Sequence, residues 1–126
     1  MPVLEPLAGL RVIADPAALD AARFHGDGVT ILRLAPDDAL ALRATGVDVA
    51  DEHAVVEPEV GFAGAWLPLD EVLPHIEWSL PAERPALAQG SIAGVPAKLW
   101  LPAAGDSEVL ILTAAAYADE LAGRLR

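Results

Sequence analysis

The chain has 126 residues, a net charge of −11 and no cysteine, and these three features limit the classes of protein to which it can belong. It is long enough to bury one hydrophobic core and too short for two, so we expect one domain over residues 1–126, with residues 1–9 as an extended N-terminal segment. The absence of cysteine excludes disulfides, thiolate catalysis, zinc ribbons and iron–sulfur clusters. The abundant alanine and the single lysine, Lys98, indicate a bacterial, GC-rich genome.

The acidic residues are concentrated in the middle of the chain. Between Arg43 and Arg84 there is no lysine or arginine. Nucleic acids and anionic membranes are therefore excluded as partners, because their binding needs basic residues that neutralise phosphate. The stretch is either a solvated face or the contact surface for a basic protein. Its carboxylates are Asp48, Asp51, Glu52, Glu57, Glu59, Asp70, Glu71, Glu77 and Glu83.

No segment has the pattern of a membrane span or of a signal peptide. The longest run without a charged residue, 85–97, contains glycine, proline, serine and glutamine and is shorter than the roughly 20 apolar residues of a span. Pro2, Glu5 and Pro6 interrupt the N-terminal apolar stretch. We therefore expect a soluble, cytoplasmic protein.

The first third of the chain predicts a strand–helix–strand–helix order. Leu10–Ala14 has the pattern of a strand, and Asp15 followed by a proline is typical of a helix N-cap. That helix is expected to run to Phe24. After a glycine-containing turn, the apolar segment 29–34 predicts a second strand, and the alanine-rich segment 39–44 predicts a second helix that Gly46 ends.

The rest of the chain predicts mainly strands and one terminal helix. Thr113 is placed to cap that helix, in which Tyr117, Leu121 and Leu125 recur every four residues and form one apolar stripe. Trp66 and Trp100 lie in apolar strand segments and are predicted to be core residues. The expected strands are 54–57, 60–67, 87–92, 97–101 and 108–112, with one or two helical turns at 70–73.

These elements predict an α+β fold. The last three strands are expected to form an antiparallel meander, joined by turns at 94–96 and 104–107. We expect a small single domain in which helices, including the C-terminal one, pack on one face of an antiparallel or mixed sheet.

Histidines and carboxylates give the candidate ligand or metal residues. Glu71 and His75 are four residues apart and would share one face of a helix, although Pro74 disturbs that helix. Asp51 and His53 lie close together in a predicted loop. Neither pair brings a second ligand cluster, so we predict no catalytic residue, no resident metal and no cofactor, and we retain these four as low-ranking ligand positions.

A protein partner is the other candidate for the acidic stretch. Trp78 stands between Glu77 and Ser79 near a proline-rich loop, and tryptophan is enriched where interfaces are strongest. Core packing is the competing interpretation of this side chain. The predicted interface residues are Trp78, Glu77, Glu52, Glu57 and Glu59.

The C-terminal run KLWLPAAGDSEVLILTAAAYADELAGRL resembles the closing strand–turn–strand–helix segment of the gamma subunit of heterotetrameric sarcosine oxidase. The segment RLAPDDALALRATGVDV is similar to an earlier part of that family. The C-terminal part of the resemblance covers less than a third of the chain, and Ala115 and Ala116 stand where the family tends to have Arg-Ser. It implies a structural subunit that contributes no catalytic residue.

Two hypotheses about function follow from the sequence. The first is a non-catalytic accessory or protein-interaction domain, found as a homo-oligomer or in a complex with another protein. The alternative is a small-ligand-binding protein or metal-independent enzyme with its pocket between sheet and helix.

Overall fold

The computed structural model describes residues 3–103 and 107–125, which form two compact units. The first unit is Leu7–Val60, and the second comprises residue 61 onward together with the few residues before Leu7. The expectation of one domain stays a prediction. The described strands are β1 (Glu5–Ile13), β2 (Arg23–His25), β3 (Thr30–Ala35), β4 (Asp38–Leu42), β5 (Gly46–Asp48), β6 (Val55–Pro68), β7 (Ala86–Ile92), β8 (Val95–Leu101) and β9 (Glu108–Ala114).

Strands dominate the described residues, and the helices are short. The longest helix has seven residues, which is two turns. The prediction of an α+β fold with helices packed on one face of a sheet is therefore wrong, and the chain is mostly β. The helices are α1 (Pro16–Asp20), α2 (Leu69–Val72) and α3 (Ala118–Arg124), and 3₁₀ turns occupy Leu73–His75 and Ala115–Tyr117.

The first unit contains an antiparallel sheet in the order β3-β4-β1 and a separate β2-β5 pair. Its core packs Val12 and Ala39 of the sheet against Leu19 of α1, with Phe24 and Val47 of the small pair beside them. The predicted N-cap of α1 is confirmed, since the Asp15 carboxylate accepts a hydrogen bond from the Ala18 amide. The helix ends earlier than predicted because the chain leaves it to form β2.

The segment predicted as the second helix is strand β4. Ala39, Leu40 and Ala41 have no exposed surface, because β4 lies between β1 and β3 and both of its faces are covered. Alanine favours helices locally, but pairing on both sides overrides that preference. Gly9 of β1 makes the close pairing feasible: a Cβ there would lie 2.2 Å from the carbonyl oxygen of Ala41.

The second unit is built on an antiparallel sheet in the order β6-β9-β8-β7. The predicted meander is confirmed for β7, β8 and β9, but the turn between the first two is formed by two residues, 93 and 94, and not by 94–96. Both turn residues, Ala93 and Gly94, have positive φ, as a type I′ turn requires. The predicted turn at 104–107 lies largely outside the described residues.

The core of the second unit lies under α2 and α3. Leu99 and Ile111 of the sheet pack there with Leu121 of α3, and all three are fully buried. The terminal helix begins at Ala118 and not after Thr113, because β9 continues to Ala114, which pairs with Phe62. The capping prediction for Thr113 is therefore wrong.

Candidate functional site

Asp51 and His53, a predicted ligand pair, form a hydrogen-bonded turn. One Asp51 carboxylate oxygen accepts the Asp15 amide at 2.8 Å, and the other accepts the His53 amide at 2.9 Å. The Asp15 amide, followed by the His53 amide, holds the pKa of Asp51 below its ordinary value. The carboxylate thus joins the start of α1 to the turn after β5.

The imidazole of His53 lies beside an exposed carboxylate. Its Nε2 lies 3.4 Å from a carboxylate oxygen of Glu52, and each side chain is 87% exposed. An ion pair that is so open to water contributes little to stability.

Glu71 and His75, the second predicted ligand pair, are not in contact through an ion pair. Glu71 is exposed on α2, and the described residues show no ion pair between it and His75. The His75 carbonyl accepts the Ala93 amide at 2.9 Å.

No metal centre is formed by these residues. Across residues 3–103 and 107–125, no three His, Asp or Glu side chains come close enough to hold a metal ion. The closest imidazole–carboxylate contact is between His25 of β2 and Asp48 of β5, at 2.9 Å. Asp48 also lines a shallow depression of the first unit with Arg23, its partner in the β2-β5 register, and with Val47.

Glu59, a predicted partner contact, is part of an ion-pair network in the first unit. Arg11 donates two hydrogen bonds to Asp38, at 2.5 and 2.7 Å, and one to Glu59 at 3.2 Å. All three side chains are less than a third exposed. The two carboxylates raise the pKa of Arg11, with the hydrogen bond to Asp38 as the largest cause, so the guanidinium stays charged.

Trp78, the predicted anchor for a partner, packs within the second unit. Its indole N–H donates to the Ser91 carbonyl at 3.0 Å, and its ring lies over Gly90 of β7. Ser91 faces Pro96 across the β7-β8 ladder. Trp78 is half-buried against the core under α2 and α3, whereas the neighbouring Glu77 is exposed.

The exposed apolar side chains lie elsewhere. Within β6, Val55 is 46% exposed, Val56 43% and Val60 70%. Trp66 is 46% exposed, so the prediction that it is a core residue is wrong. The sequence signal for the exposed valines was Glu57-Pro-Glu59 between them, a polar, proline-containing insertion that a buried strand does not accommodate.

A second feature that sequence reasoning missed is a pocket of the second unit. It has a volume of about 330 Å³ and is lined by residues of β6 to β9 and by Tyr117 of the following 3₁₀ turn. Lys98, Gln89 and Phe62 are among its walls.

No protein-family model matches this chain, and no curated protein matches it. The described part of the chain contains no helix that is both long and apolar enough to cross a membrane. The described strands define a mostly antiparallel β protein.

Proposed function

We propose that this chain is a non-catalytic protein-interaction domain that binds a partner with basic and apolar side chains. The contact surface is the first half of β6 together with the turn before it. We call it the valine–glutamate surface. It consists of Glu52, Val55, Val56, Glu57 and Val60.

The exposure of three valines carries this proposal. Successive residues of a strand point to opposite faces, so exposed side chains at Val55 and Val56 mean that neither face is covered at that point. A cluster of exposed apolar side chains rimmed by polar ones is typical of a surface that contacts another protein.

The chemistry of the partner follows from the charges. Glu52 and Glu57 are exposed, whereas Glu59 is occupied by Arg11. No lysine or arginine lies between Arg43 and Arg84 to offset them. Two copies of this surface would repel each other, and the surface would also repel a phosphate backbone. A basic protein would be attracted to it.

The sequence resemblance agrees with this role. The gamma subunit of heterotetrameric sarcosine oxidase is a structural chain, and membership of that family stays a proposal. A cytoplasmic location and a bacterial origin belong to the same proposal.

The test compares surface variants with a matched control. The tagged protein, Val56→Lys, Val60→Lys and Ile31→Lys are each purified from the native cells at moderate salt. Ile31 is the control because it is an exposed apolar residue of β3, 43% exposed like Val56. Circular dichroism establishes that each variant is folded.

We expect one basic protein in stoichiometric amount with the wild type and with Ile31→Lys, lost with either valine variant and at high salt. The identified partner is then purified and titrated, and we expect the valine variants to weaken its binding at least tenfold. A partner that binds all variants equally would contradict the proposal. So would recovery of the chain alone, or as a homodimer by light scattering.

A further inference from the structure

One cross-strand row of the second unit places a lysine in an apolar pocket. Gln89 of β7, Lys98 of β8 and Leu112 of β9 are direct partners in the antiparallel ladders, so their side chains share one face of the sheet. Ala114, two residues after Leu112, lies on the same face and pairs with Phe62 of β6. These residues form the walls of the pocket of about 330 Å³.

The charge on the wall of this pocket is opposite in sign to the net charge of the protein. Lys98 is the only lysine of a chain whose net charge is −11, and the pocket has no aspartate or glutamate in its lining. The ammonium group donates to the Gln89 side-chain oxygen at 2.9 Å, which is a neutral acceptor. Among the described residues, no carboxylate forms a salt bridge with it.

The pocket's other walls are apolar or aromatic. Phe62, Leu112 and Pro96 line it, and Tyr117 stands beside them with 42% of its surface exposed. The Thr113 hydroxyl donates to the Pro96 carbonyl at 2.7 Å, which fixes β8 against β9 beyond the last described pair of their ladder. A pocket with apolar walls and few oriented polar groups is the usual form of a small-molecule site.

The geometry points to a binding site for a small organic monoanion. The ligand's carboxylate pairs with the ammonium group of Lys98, and its aromatic or branched apolar body lies against Phe62 and Tyr117. One lysine compensates one charge, which favours a carboxylate over a phosphate dianion. This inference does not rest on the proposed function, since its residues and observations are separate from the valine–glutamate surface.

The experiment holds the ligand body constant and varies its charge. Phenylacetate, 2-phenylethanol and 2-phenylethylamine are titrated into the isotope-labelled full chain, and amide NMR spectra report where each one binds. We expect phenylacetate to shift the amides of Lys98, Leu112 and Tyr117 in a saturable way. The alcohol should bind at least about tenfold more weakly, the value of one charge-assisted hydrogen bond, and the amine should not bind.

Three variants test whether the charge of Lys98 binds the carboxylate of phenylacetate. Lys98→Met keeps the length of the side chain and should weaken phenylacetate at least about tenfold, while Lys98→Arg should restore it. Arg84→Met is the matched control, because Arg84 lies outside the pocket and also donates to neutral groups, the carbonyls of Pro81 and Glu83. It should bind phenylacetate like the wild type.

Three results would overturn the inference. The first is phenylacetate that produces no saturable shift, and the second is equal binding of all three compounds. The third is Lys98→Met that binds like the wild type. Because these readouts use the purified chain alone, they are independent of whether a protein partner is found.

Discussion

Replacing Gly90 with alanine tests whether Trp78 covers the strand beside it or is available to a partner. A Cβ at Gly90 would lie 3.0 Å from two atoms of the Trp78 indole, Cε2 and Nε1. Gly90 has ordinary strand backbone geometry, so alanine meets no conformational obstacle there. The indole ring therefore has to move, and its hydrogen bond to Ser91 lengthens.

These contacts set the loss in the free energy of unfolding that Gly90→Ala should cause. Losing a hydrogen bond of this kind costs about 1 kcal/mol, and forcing an extra methyl group against packed atoms costs about 1–3 kcal/mol. Alanine returns about 0.4–1 kcal/mol by restricting the unfolded chain. We expect Gly90→Ala to reduce the free energy of unfolding by about 1–3.5 kcal/mol.

Urea denaturation, followed by tryptophan fluorescence and circular dichroism, measures this change. Gly123→Ala is the control, because Gly123 lies in α3 with no atom within 4 Å of a Cβ placed there. That variant should raise the free energy of unfolding by about 0.5–1 kcal/mol, the helix preference of alanine over glycine. If Gly90→Ala also raised it, the indole would not be packed on this strand, and Trp78 would return as a candidate contact for a partner.

Three further substitutions test the contacts that hold the two units internally. Asp51→Asn leaves one acceptor oxygen for two amide donors and should be less stable at neutral pH. Because the folded pKa of Asp51 is below its ordinary value of 3.8, the wild type's advantage should be full above that value and disappear as the pH falls through the folded pKa; denaturation midpoints from pH 7 to pH 2 measure it. Thr113→Val removes the hydroxyl that donates to Pro96 from a side chain that is only 2% exposed, and should cost about 1–2 kcal/mol in urea denaturation. Arg11→Met removes the guanidinium from the Asp38 carboxylate, which is less than a third exposed, and should cost about 1–3 kcal/mol in the same assay; a loss under about 0.3 kcal/mol would mean that the network behaves like open surface pairs.

The sequence predicts the structure best where a feature depends only on residues that are close together in the chain. Asp15 followed by Pro16 marks a helix start by its own hydrogen bond and backbone angle, and α1 begins there. Gly94 allows a two-residue turn, and the hairpin of β7 and β8 forms around it. Such features depend on a few neighbouring residues and can be recognised in sequence.

The candidate site could not be predicted in the same way. Asp51 and His53 were named as ligands because they are close in sequence, but their position is decided by the amide of Asp15, far away in the chain. Lys98 drew no functional hypothesis, since its partner Gln89 and its neighbour Phe62 come from different strands. The register of the paired strands decides which of their side chains meet in a pocket, and the sequence does not reveal that register.

The sequence by itself determined the acidity of the chain, the absence of cysteine chemistry and the start of α1. Only the tertiary structure decided that residues 38–42 are a central strand, that β9 extends through Thr113, and that valines of β6 remain exposed. The physical reason is that the helix preference of a short alanine- and leucine-rich segment is weak, and pairing with strands on both sides overrides it. Hydrogen bonds from β1 and β3 on either side settle the choice for β4; β3 directly precedes β4 in a hairpin, whereas β1 is distant in the sequence.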